Sequence, residues 1–221
     1  MRLSDLGMSE NTLNLTGDRN VEWSWVAANL QENLGAVLDF GGGDSLLGLI
    51  AAMKGGNVTS LDLQKVSLPY SADSLVTKIG DILDIDFGNA QFDLIINCST
   101  IEHVGLAGRY GSKEVTDGDL IAMHRLRRLL KAQTGLMILT VPVGKDSVIR
   151  PWHRVYGADR LRQLLEGFAI RKKEFWSKRS GLNVWIQVGE EEALAVQPSE
   201  SFYALGLFVL RADARAPERL S

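Results

Sequence analysis

The sequence lacks the features that mark several classes of protein. Its 221 residues include one cysteine, Cys98, which excludes an intramolecular disulfide and a metal site built from several cysteines. A net charge of −3 gives no basic surface of the kind that binds nucleic acid or an anionic membrane. No apolar run approaches the roughly 18–20 residues that cross a bilayer. These absences favour a protein of the reducing cytoplasm that has no membrane span and no nucleic-acid partner.

The composition otherwise suits one globular domain. Hydrophobic residues make up 45% of the chain, which is enough for a two-sided core without disulfides. Residues 1–20 are polar and lack the apolar centre of a signal peptide. We interpret 1–20 as an N-terminal arm or lid and 21–221 as a single domain, in keeping with the usual domain size.

Short apolar runs alternate with amphipathic segments through most of the chain. Glycine-flanked runs at 36–40, 58–63, 75–79, 92–98 and 136–141 are typical of buried parallel strands. The segments 21–33, 45–53, 119–131 and 158–166 have the spacing of helices. Strands predicted at 169–176, 183–188 and 203–211 have short connections, which favour antiparallel pairing. The pattern predicts a Rossmann-like α/β fold with a doubly wound sheet, mostly parallel with an antiparallel C-terminal extension, whose last strands offer an edge for a homodimer.

A glycine-rich turn at residues 37–45, VLDFGGGDS, is the most informative stretch. Glycines permit a sharp turn and a close approach of the backbone to a ligand. In dinucleotide-binding enzymes such a turn leads to a helix that holds a pyrophosphate, but that fingerprint requires glycine where Leu46 stands. Asp39, at the end of the preceding strand, would also repel a pyrophosphate. A carboxylate at this place favours a ligand that carries a positive charge.

Two further acids follow the next two predicted strands. Asp62 comes about 20 residues after Gly41, the spacing of an acid that binds ribose hydroxyls. Asp81 follows the third strand, where a carboxylate can accept a hydrogen bond from an adenine amino group. A cationic amino acid, a ribose and an adenine with no phosphate between them describe S-adenosylmethionine.

This arrangement resembles the class I S-adenosylmethionine-dependent methyltransferases, whose first motif is an acid followed by G-x-G-x-G. Asp39, Gly41 and Gly43 match it, and Ser45 stands at the third glycine. The resemblance places Asp39 near the methionine amino group, Asp62 on the ribose and Asp81 beside the adenine. It implies a cofactor site formed by Asp39, Gly41, Gly43, Asp62, Leu63, Asp81, Ile82, Cys98 and Ser99.

A narrower resemblance concerns the second half of the chain. The segments STIEHVGL (99–106), GRYG (108–111), DGDL (117–120), VPVGKD (141–146) and HRVYG (153–157) are similar to a little-characterised family of methyltransferase-like domains. Its members are often associated with modification of glycans or surface polysaccharides. The resemblance implies a small-molecule or saccharide acceptor, with oxygen as the favoured target.

Transfer to a hydroxyl requires a group that removes its proton. His103 follows the fourth predicted strand and His153 the fifth, and neutral histidine can take up a proton near physiological pH. We therefore treat both as candidate catalytic residues, while His124, within an amphipathic helix, is interpreted as structural or solvated. Residues of the neighbouring loops are candidates for binding the acceptor through charge or stacking: Arg109, Tyr110, Trp152, Arg154 and Tyr156.

Three other interpretations of the sequence concern a metal site, a nucleic-acid methyltransferase and a binding module. Some O-methyltransferases bind a metal through Glu-x-x-Glu-His, but Ser99 stands at the first position, so we predict no metal site. Enzymes that methylate bases usually carry Asn/Asp-Pro-Pro-Tyr/Phe where this chain has NCST at 97–100. A protein that kept the fold as a binding module and lost the chemistry would have the same overall pattern.

Overall fold

The computed structural model describes residues 18–66, 71–108, 110–179 and 184–213. Residues 1–17 of the predicted arm and Arg109 lie outside these ranges. The described end of the arm belongs to the first helix, which begins at Arg19.

Helices and strands alternate through the first two thirds of the chain. The helices are α1 (Arg19–Asn29), α2 (Leu47–Met53), α3 (Gly118–Leu129), α4 (Ala158–Leu164) and α5 (Glu190–Ala195). The strands are β1 (Ala36–Phe40), β2 (Asn57–Asp62), β3 (Leu75–Ile79), β4 (Leu94–Cys98), β5 (Leu136–Val143), β6 (Ser147–Ile149), β7 (His153–Val155), β8 (Phe168–Lys178), β9 (Trp185–Val188) and β10 (Ala204–Ala212). A short 3-10 helix, Ile101–His103, follows β4.

Eight of these strands form one sheet in the order β3-β2-β1-β4-β5-β10-β8-β9. The strands from β3 to β5 pair in parallel. Strand β10 is antiparallel to both β5 and β8, and β9 is antiparallel to β8. This confirms the predicted Rossmann-like doubly wound sheet with antiparallel C-terminal strands.

The core has one layer on each face of the sheet. On one face Trp25 and Val26 of α1 and Leu47 of α2 pack with Val37 and Ile96 of the central strands. On the other face α3 and α4 pack against the neighbouring positions of the same strands, through Met123, Leu126, Leu161, Leu38 and Ile95. Because side chains alternate along a strand, β1 and β4 supply both layers, and each begins with three successive apolar residues, at 36–38 and 94–96.

Two elements depart from the sequence-based prediction. Strands β6 and β7 form a separate hairpin, where we predicted only loops. Helix α5 was also not predicted, since its six residues are too few to show a helical period. Within the described ranges, no helix combines the length and apolarity that would let it cross a membrane.

Candidate cofactor site

A cavity of about 430 Å³ lies at the carboxyl ends of the parallel strands, on the edge of the sheet where ligands bind in open α/β folds. Its volume falls in the ordinary range for small-molecule sites. All of the predicted cofactor residues line it: Asp39, Gly41, Gly43, Asp62, Leu63, Asp81, Ile82, Cys98 and Ser99. The fold therefore brings together residues that the sequence spreads over some 60 positions.

The glycine turn needs its glycines for two separate reasons. Gly41 has a left-handed backbone, with φ of 68°, and a Cβ there would lie 2.2 Å from the methyl carbon of Thr100. A Cβ on Gly42 would lie 2.5 Å from a carboxylate oxygen of Asp39. The turn thus packs closely against Asp39 on one side and the chain after β4 on the other, and side chains would push it out of the cavity wall.

Asp39 is a buried carboxylate at the end of β1, only 4% exposed. Burial, reinforced by repulsion from Asp62, raises the pKa of Asp39 to about 7, while a hydrogen bond from Ser60 acts in the opposite direction. Within the described ranges, no lysine or arginine nitrogen lies within 4.0 Å of this carboxylate. The site is therefore electrostatically suited to a cationic ligand group.

The other two acids are held by backbone hydrogen bonds. Asp62 accepts from the Gly43 amide at 3.2 Å and from the Gln64 amide at 3.1 Å. Asp81 accepts from the Leu83 amide at 2.9 Å. Each oxygen keeps lone-pair capacity for a ligand donor, and the Asp62 contact ties the glycine turn to the end of β2.

His103 lines the same cavity, and its ring is oriented by a defined contact. Nδ1 lies 2.7 Å from the carbonyl oxygen of Trp152. Because a carbonyl can only accept, Nδ1 carries the hydrogen and donates it, which leaves Nε2 of the neutral ring as the nitrogen that can take up a proton. Nε2 lies 3.7 Å from the buried carboxylate of Glu102, which would form an ion pair with the protonated ring.

Tyr110 and His153 both lie close to His103. The Tyr110 ring lines the cavity and meets His103 edge to face at a centroid distance of 4.9 Å. His153 is buried and is not among the residues that line the cavity, with its ring centroid 6.5 Å from that of His103 and 5.2 Å from that of Tyr203. Of the two predicted histidines, His103 has direct access to a ligand.

Arg154 and Tyr156 belong to a buried cluster instead of the cavity. Arg154 donates to the carbonyl of Val104 at 2.6 Å and lies 3.5 Å from a carboxylate oxygen of Asp119. Tyr156 is fully buried and donates to Asp119 at 3.2 Å. We predicted that both contact the acceptor, and the geometry gives them a structural role. Trp152 acts here through its carbonyl on His103.

Helix α1 contributes two cavity residues that we did not predict. Arg19 and Trp23 both line the cavity, and the Arg19 guanidinium lies 5.9 Å from the Trp23 ring centroid. We had assigned position 19 to the arm, so the helix was not extended over it. Arg19 and Trp23 are four residues apart, and this spacing indicates that they share one face of a helix.

Solved structures with a similar fold include several methyltransferases. A Burkholderia thailandensis 1,6-didemethyltoxoflavin-N1-methyltransferase with bound 1,6-didemethyltoxoflavin and S-adenosylhomocysteine is similar at a TM-score of 0.59 and 16% identity, over 96% of this chain and 85% of that one. The N-methyltransferase NodS from Bradyrhizobium japonicum is similar at a TM-score of 0.55 and 14% identity, over 89% of this chain and 95% of that one. A TehB-like SAM-dependent methyltransferase from Corynebacterium glutamicum is similar at a TM-score of 0.53 and 16% identity, over 96% of this chain and 95% of that one. At these identities the likeness shows the fold of class I methyltransferases.

Family membership comes from a separate comparison. No curated protein matches this sequence. The model of a family described as "Caenorhabditis protein of unknown function, DUF268" matches residues 48–193, which is more than half of the chain. The matched region contains β2 to β9, with Asp62, Asp81 and His103 of the cavity. The chain therefore belongs to the DUF268 family, on a class I methyltransferase fold.

Proposed function

We propose that this protein transfers a methyl group from S-adenosylmethionine to a hydroxyl of a small-molecule or glycan acceptor. The observation that carries the proposal is one cavity that joins the three strand-end acids Asp39, Asp62 and Asp81 to the oriented imidazole of His103. The similar fold of a Burkholderia enzyme that holds a small molecule beside S-adenosylhomocysteine supports a small acceptor.

The cavity residues fit the parts of the cofactor. Asp39 has no cation of its own in the described structure and suits the ammonium of the methionine part, while Arg19 suits its carboxylate. Asp62 can accept hydrogen bonds from the ribose hydroxyls, and Asp81 from the adenine amino group. The bound cofactor would supply the activated methyl group and the leaving group.

The chain's own contribution to transfer is a proton acceptor beside the cofactor. His103 donates from Nδ1 to Trp152, so Nε2 is the basic nitrogen of the neutral ring and would take the proton of an acceptor hydroxyl. Glu102 would stabilise the imidazolium that results, since its carboxylate is buried and 3.7 Å from Nε2. A base arranged in this way supports oxygen as the target, because a hydroxyl must lose its proton during attack. Trp23 and Tyr110 give the cavity aromatic walls against which a sugar ring could stack.

The test is formation of S-adenosylhomocysteine from S-adenosylmethionine with a panel of sugars and small alcohols. His103→Asn keeps an N–H donor for Trp152 and removes Nε2, so we expect kcat to fall by roughly 10²–10⁴-fold with S-adenosylhomocysteine affinity unchanged. His124→Gln, in α3, is the matched control and should retain activity. Cofactor binding with no transfer to any acceptor would instead support a binding module that has lost the chemistry.

A further inference from the structure

Glu22 is a buried acid that reaches the cavity through another residue. It is 0% exposed on the inner face of α1, while Arg19 and Trp23 of the same helix line the cavity. Its carboxylate contacts Ser99, which follows β4 and also lines the cavity, and Thr140 of β5. An acid of the first helix is thus joined to the two strand ends beside the cofactor region.

The contacts of Glu22 close a ring of hydrogen bonds. Its Oε1 accepts from the hydroxyls of Ser99 and Thr140, the latter at 2.6 Å. Oγ1 of Thr140 in turn accepts from the Ser99 amide at 3.1 Å. Ser99 has φ of 47°, a left-handed conformation that is uncommon for a serine. The ring therefore holds Ser99 in one unusual conformation.

The ring also decides what Ser99 can offer to a ligand. A hydroxyl has one hydrogen to donate, and that of Ser99 goes to Glu22. Only lone pairs of Ser99 Oγ remain, so Ser99 can bind a hydrogen-bond donor but cannot serve an acceptor. A primary ammonium is a donor-rich group of this kind.

The carboxylate of Glu22 has no close basic partner in the part of the chain that the structure describes. Oε2 is buried without a hydrogen-bond partner in the described ranges, where no lysine or arginine lies within 4.0 Å of the carboxylate either. Burial, reinforced by the negative charge of Asp18 and only partly offset by Arg19 and the two hydroxyls, raises the pKa of Glu22 to about 7. Its other titratable neighbours are Cys98 and Tyr203, and Glu22 itself helps to raise the pKa of both.

A purely structural role would not need a carboxylate. Glutamine has nearly the same shape, and its amide oxygen could accept from both hydroxyls without burying a charge. A buried negative charge beside the cavity is costly unless a positive charge arrives. The methionine part of the proposed cofactor carries one.

From these contacts we propose that Glu22 is a positioning residue of the cofactor site, whose buried negative charge attracts the ammonium group of S-adenosylmethionine to the Ser99 hydroxyl that Glu22 holds as a hydrogen-bond acceptor. The inference rests on the proposed function, because it takes this cofactor as the ligand. It adds a residue of the first helix to a site otherwise built from the strand ends.

The test compares two ligands that differ only in the amino-acid part. S-adenosylhomocysteine carries the ammonium, whereas 5′-methylthioadenosine has the same adenine, ribose and thioether without it. Glu22→Gln keeps an acceptor for both hydroxyls and removes only the charge, so it should weaken S-adenosylhomocysteine by about tenfold and leave methylthioadenosine within about twofold. Ser99→Ala should show the same selectivity, and the exposed Glu32→Gln should change neither ligand.

A second readout follows the proton. At pH 7 the arriving ammonium should ionise Glu22, so the wild type should release protons on binding S-adenosylhomocysteine, measured as a dependence of the calorimetric heat on the buffer's ionisation enthalpy. Glu22→Gln should release fewer, with the remainder attributable to Asp39.

The outcomes separate the two proposals. Unchanged S-adenosylhomocysteine affinity in Glu22→Gln, or equal weakening of both ligands, would overturn the role of Glu22 while leaving the cofactor intact. A wild type that binds neither ligand would overturn the proposed function itself, and the inference with it.

Discussion

Two regions of the molecule bury carboxylates in opposite ways. Asp119, at the start of α3, is fully buried and surrounded by Arg154 at 3.5 Å, Arg160 at 3.1 Å and the hydroxyl of Tyr156 at 3.2 Å. Asp39 and Glu22, beside the cavity, are nearly or fully buried, yet in the parts of the chain that the structure describes neither has a lysine or arginine within 4.0 Å. The fold neutralises the first acid and leaves the other two without a counter-charge.

The difference separates a structural acid from acids that await a ligand. The Asp119 contacts tie α3 to α4 and to the hairpin β6–β7, and this hairpin presents the Trp152 carbonyl to His103. At the cavity, burial raises the pKa of both Asp39 and Glu22 to about 7, which is the cost of holding them without a cation. Enzymes commonly accept such a local cost where a ligand or transition state repays it.

The largest effect is expected from Asp119→Asn. The substitution leaves Arg154 buried without its charge partner, and removal of one member of a buried ion pair costs about 3–5 kcal/mol. Urea denaturation at pH 7 measures the loss in the free energy of unfolding. A loss below about 1 kcal/mol would show that the cluster does not stabilise the fold as an ion pair.

An intermediate effect of the opposite sign is expected at the cavity acids. In the folded protein Asp39 and Glu22 keep a proton that the unfolded chain releases, so wild-type stability should fall as pH rises from about 4 to 7. Asp39→Asn and Glu22→Gln remove this dependence. Each should be more stable than wild type at pH 8 by about 1–3 kcal/mol, and nearly equal to it at pH 4.5.

Urea midpoints at the two pH values measure this contrast. If both variants were destabilised equally at pH 8 and pH 4.5, the carboxylates would be ordinary structural groups, and their contrast with Asp119 would disappear.

The smallest effect is expected at an exposed acid. Glu32 is 71% exposed and pairs with Lys54 on the surface. Glu32→Gln should change the free energy of unfolding by less than about 1 kcal/mol, because exposed pairs are screened by solvent. A larger change would show that the effect of removing a carboxylate on the free energy of unfolding does not depend on how deeply that carboxylate is buried.

The sequence predicts the cavity acids well because their placement depends on local rules. Asp39 and Asp62 lie at the carboxyl ends of β1 and β2, Asp81 lies just after β3, and parallel strands bring these ends to one edge. Gly41 and Gly43 likewise indicate the turn from the local sequence alone. The predicted parallel and antiparallel directions of the strands therefore agree with the final sheet.

The rest depends on contacts between distant parts of the chain. Arginine is usually a surface residue, and no local sequence pattern indicates that the fold places Arg154 against Asp119. Glu22 is three and four residues before the buried Trp25 and Val26, so this spacing indicates an acid on the apolar face of the helix. Its partners Ser99 and Thr140 could be found only in three dimensions.

Calorimetric titration of S-adenosylmethionine and S-adenosylhomocysteine into the wild type and Asp62→Ala tests the central claim most directly. Asp62 lines the cavity and ties the glycine turn to β2. We expect micromolar binding to the wild type and a loss of about 1.5–3 kcal/mol, roughly ten- to a hundredfold in affinity, in the variant. Absence of both binding heat and thermal stabilisation with either ligand in the wild type would contradict the account.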